Sequence, residues 1–491
     1  MSTLFKNGTV ITASDMFQAD VLVEGEVITL IGKDLPAEGH DVVDCTGKYL
    51  MPGGIDVHTH LDLAFGGTYS NDDFDIGHKA AAFGGTTMHI DFVIQPKGGS
   101  LHDGLVEWRK KAELAQIDYG FHMAITDLRD EVMAEIPSLV EEGVTSLKLF
   151  MAYKNVFQVD DGTLFRAMRV AAEHGMIVMV HAENGDVESQ LTPALIAAGK
   201  TDPKYHAQSR PPEIEGEATN RAVVMSGLTG CSLYVVHVTC EPAVDAIDRG
   251  RKAGFPVMGE TCTQYFYTTV EDNLALPGFE GSKFVCSPPI RTKHDQEVLW
   301  KAVRDGRLQV VSTDHCDFWY EGGVGPFQEW RAENPTATWA EYEALDPSYR
   351  RPGKELGLGN FAKIPNGMPG IEDRMMVMWD GGVNGGRISP TRFVELNATN
   401  PAKIFGMYPQ KGTIAVGADA DILVWDPNQE HTISAQTHHM RCDYNVYEGM
   451  TVKGKPVMVY QRGHKLVEGD EWFGENGSGK FVARKPHASV I

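Results

Sequence analysis

GIDVHTHL, at residues 54–61, is the first of eight short apolar runs, each of which is followed by a longer stretch with helical spacing. Near-continuous apolar strands that alternate with helices are typical of a parallel sheet whose outer face those helices cover. Eight such units are the number that closes a (β/α)8 barrel. The other seven runs are TTMHIDFV (86–93), YGFHMAIT (119–126), SLKLFMAY (146–153), MIVMVHAE (176–183), SLYVVHVT (232–239), FPVMGETC (255–262) and LQVVSTDH (308–315).

The segments between the runs favour the same fold. Residues 101–116, 128–143 and 163–175 carry apolar residues at three-to-four spacing, and the last stretch ends on Gly175, a residue suited to the position after a helix. A doubly wound open sheet is the competing fold, but it would normally place a GxGxxG turn after its first strand, and GIDVHTHLDLAFGG contains none. We therefore predict an α/β protein built on a (β/α)8 TIM barrel.

Both ends of the chain have a different pattern. Residues 3–50 and 411–468 alternate with a period of two and contain turn signals such as NG and TGK. Neither stretch is long enough to form a comfortable domain alone, so we predict one small β-sandwich built from both termini. The predicted divisions are the first part of the sandwich (1–50), the (β/α)8 barrel (51–410), the second part of the sandwich (411–468) and a C-terminal arm or tail (469–491).

A long loop, residues 317–353, follows the eighth run and carries Trp319, Trp330 and Trp339. Loops of this length are uncommon and usually functional. A lid over the site or an oligomer contact would each explain the aromatic residues, and a plain surface excursion is the remaining interpretation.

The composition excludes several classes of protein. With 42% hydrophobic and 23% charged residues, the chain is globular rather than disordered. A formal net charge of -23 would repel phosphate backbones and anionic lipid, so we expect neither a nucleic-acid partner nor a membrane partner. Scattered cysteines without a CxxC pair, an amino terminus unlike a signal peptide and the lack of any 18-residue apolar run together predict a cytoplasmic protein.

Candidate metal ligands fall late in the predicted strands, where the catalytic side chains of such barrels gather. His58 and His60 are two residues apart, so an extended backbone sends both imidazoles to one face, where they can bind one ion. A lone strand histidine is more often a hydrogen-bonded core residue, but several on matching strand ends indicate a site. His315 and Asp317 remain rivals of Asp314. The candidates are His58, His60, His181, His237 and Asp314.

Lys148 lies inside the otherwise apolar run SLKLFMAY. A buried ammonium is costly, and it cannot bind a metal while its lone pair is protonated. Three interpretations are open: a salt bridge to an acid of the barrel, a base with a depressed pKa, or carbamylation by carbon dioxide, which would create a carboxylate able to bridge two cations. Four histidines and one aspartate are many ligands for one zinc ion and few for two, which makes a bridging anion attractive.

A series of motifs in order carries a family resemblance: GIDVHTH, SLKLFMAYKNVFQVDD, VMVHAEN, VVHVT, CSPPIR, VSTDHC and KIPNGMPGIEDR. The series resembles the dihydropyrimidinase and D-hydantoinase family of cyclic amidohydrolases over nearly the whole chain. Two segments depart from the usual family pattern: the long loop 317–353 and the AFGG after HTHLDL. The first would affect access to the site and the second the rim of the substrate pocket, and neither changes a ligand residue.

The resemblance implies two Zn²⁺ per chain, bridged by a carbamylated Lys148. The first ion would be held by His58, His60 and Asp314. The second would be held by His181 and His237.

The resemblance also implies roles in catalysis. The metals would lower the pKa of a bound water and polarise a ring carbonyl. Asp314 would carry the proton to the departing ring nitrogen, and Tyr153 would donate a hydrogen bond to the developing oxyanion. Ser287 and Asn366 match the positions that hold the imide or ureide edge of the substrate. Apolar residues that we expect to set the preference for the ring substituent are Leu63, Phe65, Phe150 and Phe157.

The expected activity is zinc-dependent hydrolysis of the cyclic amide bond of 5,6-dihydropyrimidines, such as dihydrouracil to N-carbamoyl-β-alanine, or of 5-substituted hydantoins. The expected substrate is therefore a small neutral cyclic diamide. Two alternatives stay open: an allantoinase-type ureide hydrolase, and a non-catalytic dihydropyrimidinase-like scaffold. A dihydroorotase is disfavoured because Leu61, Asp62 and Leu63 stand where an arginine would be expected. The resemblance also implies a homo-oligomer, either a tetramer or a dimer.

Overall fold

The computed structural model describes residues 2–323, 329–330, 332–334, 342, 345 and 350–487. Its strands form two large sheets and one short hairpin. In chain order, the strands are β1 (Ser2–Ile11), β2 (Met16–Glu24), β3 (Val27–Gly32), β4 (Asp41–Asp44), β5 (Tyr49–Pro52), β6 (Gly54–Thr59), β7 (Ala64–Phe65), β8 (Thr68–Tyr69), β9 (Thr86–Ile94), β10 (Asp118–Ala124), β11 (Ser146–Phe150), β12 (Ile177–His181), β13 (Ser232–Val235), β14 (Val257–Cys262), β15 (Val310–Ser312), β16 (Ile422–Thr432), β17 (Thr451–Gln461), β18 (His464–Glu468) and β19 (Glu471–Trp472).

The eight predicted runs form the barrel sheet, in which β6 and β9 to β15 pair in parallel and in chain order. A parallel bridge between Thr59 and His315 joins the first strand to the segment after the eighth and closes the barrel. Every residue of β6, β11, β12, β14 and β15 is buried, because helices cover the outer face and packed side chains fill the inside. The predicted TIM barrel is confirmed.

The helices surround the barrel, and none in the described part of the chain is long and apolar enough to cross a membrane. The α-helices are Ile76–Phe83, Leu101–Lys111, Asp130–Met133, Ile136–Glu141, Asp161–Glu173, Gly185–Ala197, His206–Ser209, Pro212–Thr229, Glu241–Lys252, Gln264–Tyr267, Lys293–Arg304, Arg374–Met378, Pro390–Val394 and Asn400–Ile404. Short 3₁₀ helices are Ala112–Leu114, Pro203–Tyr205, Glu280–Phe284, Lys354–Gly357 and Phe361–Lys363. Short π-helices are Val270–Leu274, Trp379–Asn384 and Glu395–Thr399.

Two of the three predicted helices form as single helices, and the third is divided. The stretch 128–143 contains Asp130–Met133 and Ile136–Glu141, with Pro137 in the first turn of the second helix. Proline has no backbone N–H to donate to the preceding turn, so it starts a helix more readily than it continues one. The stretch 163–175 ends as predicted, with Gly175 in the left-handed conformation at φ 63°.

The two termini together form a small β domain, as predicted. Its strands make one continuous mixed sheet in the order β19-β18-β17-β16-β5-β1-β2-β3, with β4 on β1. Strand β5 joins the two halves, because it pairs parallel to β1 and antiparallel to β16. A separate core of buried side chains, including Phe5, Val21, Ile422 and Tyr460, belongs to this domain.

The C-terminal segment, residues 478–487, lies across the amino ends of the barrel strands. Val482 donates to the carbonyl of Tyr119 at 2.8 Å, and Arg484 donates to the carbonyl of Gly143 at 3.0 Å. Tyr119 lies at the start of β10 and Gly143 precedes β11. This segment therefore covers the end of the barrel opposite to the strand ends that carry the candidate ligands.

The long loop is described at its base and in part of its interior. The Trp319 ring lies 4.4 Å from the guanidinium of Arg350, and Trp330 packs on Tyr342 with ring centroids 4.8 Å apart. Trp339 lies outside the described residues, so the expectation of a lid or an oligomer contact remains a prediction.

Candidate metal centre

The four predicted histidines and Asp314 converge at the carboxyl end of the barrel. His58 lies near the end of β6 and His181 is the last residue of β12, while His60, His237 and Asp314 follow their strands by one or two residues. The Oδ1 atom of Asp314 lies 3.0 Å from His58 Nε2 and 3.2 Å from His60 Nε2. The ring centroids of His237 lie 5.4 Å from those of His58 and 4.6 Å from those of His181. All five residues line one cavity.

The donor atoms in this cavity fit a metal. His58 Nε2, His60 Nδ1 and His237 Nδ1 are buried and have no hydrogen-bond partner in good geometry among the described residues. One ligand atom each of His58, His237 and Asp314 lies within 4.8 Å of the others. Buried nitrogens without partners are costly, and the grouping of ligand atoms of His58 and His237 with a carboxylate oxygen of Asp314 is what a cation site requires.

Carboxylates hold the opposite ring nitrogens of two of these histidines. His58 Nδ1 bonds to Glu260, and His181 Nε2 lies 2.8 Å from Glu183 Oε2. A metal-binding histidine usually donates its other N–H to a carboxylate or carbonyl, which fixes the tautomer and the ring orientation. The arrangement leaves His58 Nε2 and His181 Nδ1 for the cavity.

The electrostatics of the centre reflect its burial. Burial alone would lower the pKa of His58, but the charges of Asp314 and Glu260 outweigh it and raise that pKa to about 9. Burial lowers the pKa of His60 to about 4. Burial would raise the pKa of Asp314, but the neighbouring histidines hold it well below its usual range. The aspartate is therefore an anion, and in this arrangement the protonated His58 supplies the positive charge beside it.

Lys148 lies at the wall of the same cavity, with its side chain 1% exposed. Its ammonium makes no hydrogen bond or ion pair with any residue in the described part of the chain, and it lies 4.9 Å from the Phe92 ring and 5.3 Å from the Phe150 ring. Burial lowers the pKa of this lysine to about 7. The amine is therefore available in its neutral, nucleophilic form near neutral pH.

Three residues of the cavity have positive φ although none is glycine. The φ angles are 66° for Tyr153, 39° for His237 and 52° for Asp314. Such conformations cost free energy, and they persist where the surroundings fix the side chain for a function. The strain coincides with two candidate ligands and the candidate oxyanion donor.

Tyr153 lies between the ligands and an aromatic wall. Its ring centroid lies 5.0 Å from that of His181 and 5.5 Å from that of Phe65. Burial raises the pKa of its phenol, so the hydroxyl stays protonated and can donate a hydrogen bond. The guanidinium of Arg210 lies 5.5 Å from the Tyr153 ring.

The other predicted substrate residues reach the same cavity. Asn366 Nδ2 donates to Ser287 Oγ at 3.0 Å, so the two loops that carry them meet at the site. The four apolar residues line it too, and Phe65 stacks on Phe157 at 6.2 Å between centroids. The predicted residues that line the cavity include Leu63, Phe65, Phe150, Phe157, Ser287 and Asn366.

The two rivals of Asp314 lie outside the cavity. His315 Nε2 faces Asp72 Oδ2 at 3.2 Å and Asp317 Oδ1 at 3.5 Å in a separate buried group. The backbone N–H of Gly370 donates to His315 Nδ1 at 3.2 Å. Nδ1 is occupied by this backbone contact, and Nε2 faces the two carboxylates in ion-pair contact without a hydrogen bond in good geometry among the described residues. The carbonyl of His315 accepts the N–H of His60 at 2.9 Å.

Several residues around the centre were not found from the sequence. Glu260 lies in the middle of β14, and a carboxylate inside a buried strand is a signal that the sequence does carry. Glu183, two residues after His181, forms a buried ion pair with Arg210 at 2.9 Å. No local pattern marks Arg210, because its partners are distant along the chain.

Comparisons with known proteins agree over the whole chain. Residues 49–466 match the Amidohydrolase family. D-hydantoinase of Geobacillus stearothermophilus is 48% identical over 493 residues, which cover 100% of this chain and 98% of that protein. Dihydropyrimidinase of Dictyostelium discoideum is 40% identical, covering 99% of this chain and 92% of that one.

A solved structure extends the likeness to three dimensions. The crystal structure of dihydropyrimidinase from Brevibacillus agri superposes with a TM-score of 0.92 at 49% identity, and the match covers 99% of this chain and 100% of that one. The two proteins therefore share both the barrel and the terminal sheet.

Proposed function

Because the chain belongs to the amidohydrolase family, in which metal dependence is the norm, we propose that it hydrolyses the cyclic amide bond of 5,6-dihydropyrimidines, including dihydrouracil, and of 5-substituted hydantoins. The observation that carries the proposal is the convergence of four histidines, Asp314 and Lys148 on one cavity, in a chain similar at full length to hydantoinases and dihydropyrimidinases. Among the described residues, Lys148 has no hydrogen-bond or ion-pair partner. The product of dihydrouracil would be N-carbamoyl-β-alanine.

We infer that the resident cofactor is a pair of Zn²⁺ ions. His58, His60 and Asp314 would hold one ion and His181 and His237 the other, with Lys148 as an N-carboxylated bridge. The neutral amine favoured by burial supports the carbamate, because only the neutral form attacks carbon dioxide. When bound, the metals would lower the pKa of a water and polarise the ring carbonyl.

The side chains of this protein would move the proton and hold the ring. Asp314, an anion in the cavity, takes the proton of the attacking water and delivers it to the ring nitrogen as the C–N bond breaks. The protonated phenol of Tyr153 donates to the oxygen that becomes negative during attack. The loops of Ser287 and Asn366 present polar groups to the uncharged diamide edge.

The substituent of the ring would point toward an outer cavity. This cavity, of about 670 Å³, shares Phe65, Tyr153, Phe157 and Asn366 with the inner one, and Val156 and Leu356 add apolar surface. A space of this size accommodates an aryl or alkyl group, which supports 5-substituted rings as substrates.

We also propose a cytoplasmic location and a homo-oligomer, dimer or tetramer. All seven cysteines are free and buried, which suits a reducing compartment.

Metal content and turnover, measured together, test the proposal. We expect about two zinc per chain by elemental analysis and opening of dihydrouracil, of a 5-substituted hydantoin, or of both. Lys148→Ala should lower kcat/KM on the order of 10³-fold, since metal-ion catalysis contributes several kcal/mol and each 1.36 kcal/mol is tenfold. Turnover of allantoin alone would mean that the substrate is a ureide and that the enzyme is of the allantoinase type. A protein without stoichiometric zinc and without turnover would be a scaffold, which refutes the enzyme.

A further inference from the structure

A second buried lysine, Lys354, lies beside the substrate loops and has no place in the chemistry above. Its side chain is 0% exposed. The ammonium donates to three backbone carbonyls, those of Val285 at 3.0 Å, Pro365 at 2.7 Å and Gly367 at 2.7 Å. A lysine ammonium has three protons, so every donor is used.

The three carbonyls belong to the two loops that reach the substrate. Val285 is two residues before Ser287, and Pro365 and Gly367 stand on either side of Asn366. The loops touch each other directly through the Gly367 N–H to the Val285 carbonyl at 3.0 Å. The ammonium therefore bonds both loops at one point behind their substrate-facing residues.

The surroundings of Lys354 provide no counter-ion for its ammonium among the described residues. No carboxylate in the described part of the chain lies within ion-pair distance of this lysine, and the Phe318 ring lies 5.6 Å away. An ammonium without a counter-ion is costly to bury, so its hydrogen bonds to the three carbonyls must offset that cost. What the ammonium adds is a fixed position for three carbonyls.

Lys354 is itself anchored at the base of the long loop. Its N–H donates to the carbonyl of Trp319 at 2.7 Å. A Cβ on the preceding Gly353 would lie 1.9 Å from that same carbonyl oxygen, so only glycine permits this approach. The carbonyl of Pro352 accepts from Thr68 in the hairpin after the first barrel strand at 2.6 Å. The lysine cannot shift without moving these segments.

We propose that Lys354 is a positioning residue that sets the spacing of Ser287 and Asn366 and thereby the affinity for the ring. The inference rests on the proposed function for its activity readout. Because Lys354 touches none of the candidate ligands, its loss weakens substrate binding and leaves the chemical step intact.

The test compares Lys354→Met, which keeps an unbranched side chain one atom shorter and removes the donors, with wild type. We expect KM for dihydrouracil to rise 10- to 100-fold, kcat to stay within about threefold and the zinc content to be unchanged, which is the signature of lost uniform binding. Lys354→Arg, which keeps donors, should recover part of the KM. Lys283→Met is the matched control, since that lysine is in the segment before Val285 and pairs with Glu280 at 2.7 Å on the surface.

Amide hydrogen exchange at Gly367 supplies a readout that needs no substrate. Exchange should be faster in Lys354→Met than in wild type, while amides of the barrel strands are unchanged. If the wild-type protein opens no ring, the proposed function fails. The exchange rate at Gly367 still tests whether Lys354 holds the loops of Ser287 and Asn366 in place. An unaltered KM, an unaltered exchange rate at Gly367, or a fall in kcat with loss of zinc would overturn the inference. Should the Met variant not fold, Lys354→Gln is measured in its place with the same criteria.

Discussion

The two ends of the barrel surround a buried lysine in opposite ways. At the amino end, Lys411 is 1% exposed and its ammonium lies 2.6 Å from Asp118, 2.9 Å from Asp419 and 2.8 Å from Asp421. Burial would lower its pKa, but these carboxylates outweigh it and raise the pKa above its usual value. Asp118 begins a barrel strand and Asp421 precedes a strand of the terminal sheet, so the cluster joins the two domains.

At the carboxyl end, Lys148 is equally buried, but its ammonium makes no ion pair or hydrogen bond with any described residue and lies against the rings of Phe92 and Phe150. The nearest anions, Glu260 and Asp314, already pair with histidines. The difference follows the division of labour in such barrels, where the amino end stabilises and the carboxyl end reacts. A compensated lysine is inert, whereas an uncompensated one is left free for modification.

The largest stability effect is expected at the compensated lysine. Lys411→Met removes the cation from Asp421 and Asp419 and leaves Asp118 paired with Arg462 alone. Removal of one partner from a buried pair costs about 3–5 kcal/mol. We expect that loss in the free energy of unfolding, measured by denaturant titration, with the zinc content of the folded protein unchanged.

Lys252→Met is the control for this substitution. Lys252 is 75% exposed and pairs with Asp248 one helical turn away, so its loss should change stability by less than about 0.5 kcal/mol. If Lys411→Met were as mild as the control, the amino-end cluster would not be the joint between the domains.

The second prediction concerns the pH dependence of stability at Lys354, whose ammonium donates to three backbone carbonyls and pairs with no carboxylate in the described part of the chain. Burial lowers the pKa of Lys354 to about 8, against an ordinary value of 10.5. The groups facing it are the thiols of Cys286, Cys316 and Cys442. Burial raises the pKa of Cys286 to about 12 and those of the other two well above the usual value, so the thiols stay neutral through the window.

The sign of the effect follows from proton counting. Between about pH 8 and pH 10.5 the unfolded chain keeps a proton that the folded protein has lost, so stability rises with pH in that window. Since one pKa unit corresponds to about 1.4 kcal/mol, wild type should gain about 3 kcal/mol relative to Lys354→Met across it. Denaturant titrations of both proteins at several pH values measure the difference. A constant difference would mean that the ammonium pays no desolvation cost.

The sequence predicted the barrel and the centre because both depend on local pattern. Eight apolar runs define eight strands, and a histidine or aspartate late in a run is placed at the carboxyl end by the strand itself. His58 and His60 share a face through their spacing alone.

Long-range partners could not be predicted in this way. Glu260 meets His58 across 202 positions of the chain, and Lys354 meets Val285 across 69. Pairing of β5 with β16 decides that the terminal strands form one continuous sheet, and no periodicity within either stretch determines that pairing. Such contacts depend on the register of finished elements, which local pattern leaves open.

The smallest change in stability is expected at Lys148. Unlike Lys411 and Lys354, it makes no hydrogen bond or ion pair with any described residue. In protein stripped of metal by chelation, Lys148→Met removes a buried amine without partners, and replacing such a group by an apolar side chain of similar volume is often stabilising. We expect a gain of about 1 kcal/mol in the free energy of unfolding of the metal-free protein, while the same substitution at Lys411 is strongly destabilising. Metal-free melting curves of both variants compare the two ends under one condition. A loss of stability in Lys148→Met would show that the carboxyl-end ammonium is compensated after all, and the contrast between the two ends would then disappear.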